Sequence, residues 1–231
     1  MKIAILAAMD KEIALLKNIL ESYESIIIDN REVLHGFIHR HEVILAKCGI
    51  GKVNAALNTL AIIRGFRPDL VINSGVAGGA GGLKIGDLLI AGKVAYHDVW
   101  CGPGTIPGAA DGYDLFFLPC RHTIEIAKRY LGEGPESGIS YGVIATGDIF
   151  VSKAEEIKRI HEVLPDAVAV DMESAAIAQA CVSEGVEFNI IRVVSDTPGE
   201  AENISQYKNF WSEAPEKTFN ALDIILSKIG E

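Results

Sequence analysis

The feature that most constrains this chain is an alternation of short, continuous apolar runs with stretches of helical spacing. It begins at once with KIAILAAM, followed by DKEIALLKNIL, where Ile13, Leu16, Ile19 and Leu20 recur at helical intervals. HEVILAKCGIGKVNAALNTLAIIRGF repeats it as strand, glycine turn and helix, and AVAVDMESAAIAQACVSEG as a short strand feeding a helix. RPDLVINSGVAGGAGG reads as a buried strand ending in a glycine-rich loop, Ser74 to Gly82. GDLLIAGKVAYHD and GISYGVIATGD read as strands, VEFNIIRVVSDTPGE as a strand ending in polar residues, and Ser205 to Ile229 as largely helical. Strands apolar on both sides need cover on both faces. The expected fold is therefore α/β, a single-domain α/β/α sandwich over residues 1–231 with a central, mostly parallel (mixed) sheet. The longest irregular stretch, about His97 to Pro119, is rich in Gly and Pro, and loops of that length more often work than idle.

Composition narrows the partners. With 49% apolar and 23% charged residues the chain can bury a large core. Its 31 acidic against 21 basic residues leave a net charge of −10, which argues against nucleic acid and against anionic membrane surfaces. Cys48, Cys101, Cys120 and Cys181 form no C-x-x-C pair, and the apolar surroundings of Cys48 and Cys181 read as buried free thiols. The opening run to Met9 meets Asp10 too soon for a signal peptide, and no apolar run approaches the roughly 18 residues of a membrane span. A reducing cytosol is the expected compartment.

Several familiar signatures fail. Gly49-Ile50-Gly51-Lys52 ends in Val53, without the Ser or Thr of a P-loop, and the glycines from Gly75 to Gly82 do not fit G-x-G-x-x-G. His161-Glu162 and His41-Glu42 lack the second His of a zinc motif, and G-x-S-x-G is absent. What remains is a set of acids at strand ends, where open α/β sheets bind ligands. Glu12 follows the first strand, Glu173 sits in Asp171-Met172-Glu173-Ser174 between strand and helix, and Asp196 closes the strand Phe188 to Val194. If the strands are parallel, all three project from one edge toward the Ser74–Gly82 glycines, whose missing side chains let a flat ligand approach the backbone. Each has a plainer reading. Asp196 before Thr197-Pro198-Gly199 could be a turn residue, Asp171 a helix cap, and Glu12 a first-turn acid favoured by the helix dipole. Spacing alone defines an acidic small-molecule site and stops there.

The segments AAMDKEIALL, GIGKVNAA, NSGVAGG, GDLLIAGKVAYHD, ATGDIFV, AVDMESAAIA and RVVSD take the reading further. In this order they resemble the 5′-methylthioadenosine/S-adenosylhomocysteine nucleosidases of the nucleoside phosphorylase-like family, the D-M-E-S and S-D elements being the most diagnostic. The resemblance covers most of the chain from Met1 to Asp196 and implies that family's fold and hydrolysis of an adenine N-glycosidic bond. It implies that Asp196, held by Ser195, protonates N7 of the leaving adenine. Glu173 would grip the ribose hydroxyls beneath the developing positive charge. Glu12, supported by Arg192, would align the attacking water. Met172 and Met9 would line the substrate site, Phe150 and Val151 would hold the adenine ring, and Ala77 and Gly78 would lie near the base. Neither cofactor nor metal is implied, and a homodimer is.

Three departures stand out. Val76 occupies a position where many members carry Ser, Asp171 replaces the more usual Glu before Met172, and VWCGPGTIPGAADG follows Tyr96-His97-Asp98 in place of the family's commoner run. In the family that loop helps form the 5′-substituent pocket across the dimer interface, so Trp100, Ile106 and Pro107 are expected near the partner's pocket. A phosphorylase of the same fold would want an Arg near the glycines, but Val71-Ile72-Asn73-Ser74 supplies none, and Glu12 would repel phosphate. An aminodeoxyfutalosine nucleosidase shares the adenine and ribose and stays open. A non-catalytic nucleoside-binding protein should have lost a carboxylate, and all three are present.

Overall fold

A computed structural model describes residues 1–213 and 216–230. The first half holds β1 (Lys2–Ala7), α1 (Asp10–Leu16), β2 (Ser22–Ile28), β3 (Arg31–Ile38), β4 (His41–Lys47), α2 (Lys52–Phe66), β5 (Leu70–Gly79) and β6 (Leu88–Tyr96). The second holds α3 (Arg121–Leu131), β7 (Ile139–Thr146), α4 (Ala154–Val163), β8 (Ala167–Asp171), α5 (Ser174–Glu184), β9 (Glu187–Asp196), α6 (Asn203–Glu213) and α7 (Glu216–Lys228).

The apolar strands are covered on both sides, as their composition requires. Alternate residues of β1 and β4 point opposite ways. Ala4, Leu6, Ile44 and Ala46 pack with Ala55, Ile62, Ile63 and Phe66 of α2 and with Ala175 to Ala178 of α5. Ile3, Ile5, Val43 and Leu45 pack with Leu16 of α1, Ile126 of α3, Phe210 of α6 and Leu222, Ile225 and Leu226 of α7. Both sides of the sheet are thus removed from water, and hydrophobic burial holds the layers together.

The sheet is mixed and mostly parallel, as expected. β1 is parallel to β4 and β5, and β5 is parallel to β9. β6–β7 and β7–β8 are parallel, but β2–β3, β3–β4, β5–β8 and β6–β9 are antiparallel. The pairings β5–β9–β6–β7–β8–β5 close a ring, with β1, β4, β3 and β2 as an open wing. Closing that ring requires β6 to return against β9, which forces antiparallel contacts. The wing has a local cause: Asp29 and Asn30, with φ of 46° and 60°, make a two-residue turn, and such turns join only antiparallel strands.

One correction concerns the glycines. The expected loop from Ser74 to Gly82 is extended strand as far as Gly79. Glycine here serves close approach instead of breaking the strand. Leu70 to Asn73 pair with β1, whereas Gly78 and Gly79 pair with β8. β5 therefore changes neighbours midway, and the opening at that change is where the acids meet. The long irregular stretch appears as expected between β6 and α3. The expected C-terminal helix is two helices, α6 and α7.

Candidate active site

Glu12 is positioned by its own helix start. Its Oε2 accepts the N–H groups of Ala8 and Met9, both at 2.9 Å, so the side chain curls back over the end of β1. Its Oε1 accepts the N–H of Val76 at 3.2 Å, at the point where β5 has parted from β1. The first-turn reading is therefore locally right, and the tertiary contact adds a task. Glu12 is 5% exposed. Burial raises its pKa, against the pull of Arg192 and the three N–H donors.

Glu173 lies between β8 and α5, at the other side of the opening. Its Oε1 accepts the Gly51 N–H at 3.0 Å, and its Oε2 is 3.8 Å from Arg192 Nη2. Burial raises its pKa first and the Asp171 carboxylate second, with Arg192 opposing both. Asp196 ends β9. Ser195 Oγ stands 2.6 Å from its Oδ1, and Asn203 Nδ2, from the start of α6, donates to its Oδ2. Burial raises the Asp196 pKa, and the Ser195 and Asn203 bonds offset this in part. A turn aspartate would sit in water; this one is 2% exposed.

Beneath these three runs a buried polar layer. Arg192, 1% exposed, donates from Nε and Nη2 to Asp171 Oδ2 at 3.0 and 2.6 Å. Its Nη2 also donates to Asn73 Oδ1 at 2.5 Å and Ser174 Oγ at 3.0 Å. Asp171 accepts Thr146 Oγ1 at 2.6 Å and the Ser174 N–H at 3.3 Å. Asp171 is thus both the helix-start acceptor the sequence suggested and the main partner of Arg192. The hydrogen bonds of Arg192 go to that layer, while its charge still acts on Glu12 and Glu173.

Met9, Glu12, Ala77, Gly78, Phe150, Val151, Met172, Glu173, Ser195 and Asp196 all line one open pocket. Arg192 lies behind its wall. Sequence reasoning missed Ile50, Ile149, Val170 and Tyr207 in the lining and Asn203 behind Asp196. Tyr207 packs edge-on against Phe150 with ring centres 5.4 Å apart and donates to Met9 Sδ at 3.4 Å. The local pattern around Tyr207 and Asn203 is that of an ordinary helix, so only the docking of α6 marks them. The Val76 backbone contact had no side-chain signal at all. Among the described residues, no group of His, Cys, Asp or Glu could hold a metal ion.

A closed-ring α/β fold with three buried carboxyls around a glycine-floored, aromatic-walled pocket defines an acid–base enzyme for a flat, polar small molecule. The family model of the phosphorylase superfamily matches residues 2–227. A 5′-methylthioadenosine/S-adenosylhomocysteine nucleosidase of Hydrogenovibrio crunogenus is 40% identical over 216 residues, 93% of either chain. The solved nucleosidase of that name from S. pneumoniae, with a transition-state inhibitor, is 34% identical, covers 98% of both chains and superposes with a TM-score of 0.92. The futalosine hydrolase of Helicobacter pylori is 30% identical, covers 99% and 98%, and gives 0.90. The chain belongs to the phosphorylase superfamily and, within it, to the 5′-methylthioadenosine/S-adenosylhomocysteine nucleosidases.

The glycine floor offers a direct test. A Cβ at Gly75 would lie 2.5 Å from Arg192 Nη1 and 2.6 Å from Glu12 Oε1, so one of the two charged groups must move. Gly75→Ala should lower kcat/KM by roughly 10- to 100-fold, the cost of displacing a reacting group by about an ångström. Gly92→Ala is the control, because its Cβ would meet nothing nearer than 3.7 Å. Equal kinetics for the two variants would show that Glu12 and Arg192 need not be held where they are.

Proposed function

We propose that the chain hydrolyses the N-glycosidic bond of 5′-methylthioadenosine and S-adenosylhomocysteine, releasing adenine and the 5-thioribose product. Water oxygen bonds to C1′ as the C1′–N9 bond breaks. The electron pair leaves on adenine, whose N7 takes the proton of Asp196, while Glu12 takes the proton of water. Glu173 holds the ribose hydroxyls and offsets the positive charge that develops on the sugar. Ser195 and Asn203 orient Asp196, Met9 and Met172 pack against the sugar, and Phe150, Val151, Ala77 and Gly78 enclose the base. Arg192 acts from behind the wall on the charge of Glu12.

The observation that carries hydrolysis over phosphorolysis is the lining itself. Among the described residues, no Lys or Arg side chain lines the pocket, and the buried Arg192 is engaged with Asp171. A phosphate dianion needs such cations and would meet Glu12 and Glu173 in their place. Product analysis on 5′-methylthioadenosine, S-adenosylhomocysteine and aminodeoxyfutalosine, with and without phosphate, tests the reading. Free adenine should form at a rate indifferent to phosphate. A sugar 1-phosphate would move the chain to the phosphorylases, and a strong preference for aminodeoxyfutalosine would move it toward the futalosine hydrolase relative.

The active species is proposed to be a homodimer of single-domain subunits, working in the cytoplasm. Val53 and Leu57 on α2, Val182 on α5, and Trp100 and Ile106 on the irregular stretch are large apolar side chains left exposed, Val53 by 68% and Trp100 by 63%. Ile50, half exposed beside them, also lines the pocket, so a second copy seated there would help close the 5′ end. Light scattering should give twice the chain mass at assay concentration. An active monomer would end this part of the proposal.

A further inference from the structure

A chain of polar contacts runs from the irregular stretch after β6 to the carboxylate of Glu173. Asp98 accepts Lys52 Nζ with both oxygens at 2.7 Å, and its Oδ2 also accepts the Asp148 N–H at 2.9 Å. Asp148 Oδ1 in turn accepts the backbone N–H of Lys52, the first residue of α2, at 2.7 Å. The adjoining residue is Gly51, with φ of 89°, whose N–H donates to Glu173 Oε1 at 3.0 Å. A side chain at position 51 would crowd the same acid, since a Cβ there would stand 3.1 Å from Asp148 Oδ1. Asp148 also directly precedes Ile149, Phe150 and Val151, which wall the pocket.

We propose that Asp98, Lys52 and Asp148 are positioning residues, a clamp that fixes the start of α2 so that the Gly51 N–H holds the Glu173 carboxylate in place. None of the three lines the pocket, so they act on the reaction only through Gly51, Glu173 and the wall that follows Asp148. The inference rests on the proposed role of Glu173, though the contact itself does not. Stability alone does not account for the arrangement. The Lys52–Asp98 pair is partly solvated, with side chains 21% and 28% exposed, and such pairs contribute little to folding. Its geometric effect is larger, because it joins three segments distant in sequence at one helix start. The other charged groups that face Glu173 are Asp171, Arg192 and Glu12, from β8, β9 and α1, and none belongs to the clamp.

A hydrogen bond from Gly51 favours the ionised form of Glu173, so loosening the clamp should raise the pKa of Glu173 further. The test is a carboxyl ¹³C NMR titration of wild type, Asp98→Ala and Asp98→Asn, with Glu173→Gln assigning the signal. In Asp98→Ala the Glu173 midpoint should rise by about one pH unit, the scale of one hydrogen bond to a charge. With it, kcat should fall roughly 10-fold and the acidic limb of the pH profile should move upward. Asp98→Asn keeps an acceptor for the Asp148 N–H and should fall between. A lower Tm with an unmoved Glu173 midpoint would reduce the clamp to a structural role and overturn the proposal. If Asp98→Ala does not fold, Lys52→Met carries the same test with Asp98 and Asp148 intact. Should wild type cleave no adenine nucleoside, the functional reading fails, and the NMR midpoint still decides the clamp.

Discussion

Asp196→Asn should lower kcat by at least the roughly 10²–10⁴-fold typical of a lost general acid, with adenine affinity affected far less. Asparagine matches aspartate in size and can keep the contact with Ser195, which stands 2.6 Å from Asp196 Oδ1, but it has no catalytic proton to give. In the proposed binding mode adenine recognition also rests on Phe150, Val151 and Gly78, which the substitution leaves alone. The pH profile adds a signed expectation. In the proposed mechanism Asp196 must be protonated to act, and burial raises its pKa, so it keeps its proton to higher pH than an ordinary aspartate. Wild-type kcat should fall as pH rises through that raised value. Glu12 must be ionised to accept a proton, and its pKa is raised too, so activity should also fall on the acidic side above the usual carboxylate range. The residual activity of Asp196→Asn should lose the alkaline limb and keep the acidic one. Near wild-type turnover in Asp196→Asn would refute the acid.

Arg192→Leu should produce the largest loss of stability of any single change near the site. Leucine suits a buried position, so the cost comes from what remains behind. Asp171, Asn73 and Ser174 lose their partner, and Asp171 becomes a buried, uncompensated charge. Removing one member of a buried pair costs about 3–5 kcal/mol, or roughly 6–20 °C in Tm for a chain of this size. Adding Asp171→Asn to Arg192→Leu should recover a large part of the loss, since no unpaired charge then stays inside. By contrast, breaking the exposed Arg121–Glu125 pair should leave Tm almost unchanged, because water screens it. Thermal unfolding of the four proteins decides this. A small Tm change in Arg192→Leu would show that the Arg192–Asp171 pair does not hold the buried layer together.

The sequence by itself determined the strand–helix alternation, because that information is local. An apolar run such as KIAILA can only be buried, and the amphipathic stretches after the runs can only cover them. It also singled out Glu12, Glu173 and Asp196 as acids at strand ends, with roles supplied only by motif order, and the structure brings all three to one pocket. It left β2 and β3 unread, although Asp29-Asn30 between two apolar segments was a usable turn signal, and it left α3 and α4 unread. The tertiary structure alone decided the ring closure from β5 to β8, since hydrogen bonds between distant strands leave no local trace in composition. It decided that β5 passes through its glycines without ending, and that it leaves β1 beyond Asn73 so that the Val76 N–H meets Glu12. Whether a carboxyl is a solvated turn residue or a buried acid depends on what covers it. For Asp196 that cover includes Asn203, the first residue of α6, beside its strand neighbour Ser195, and the strand's own sequence could not bring α6 there.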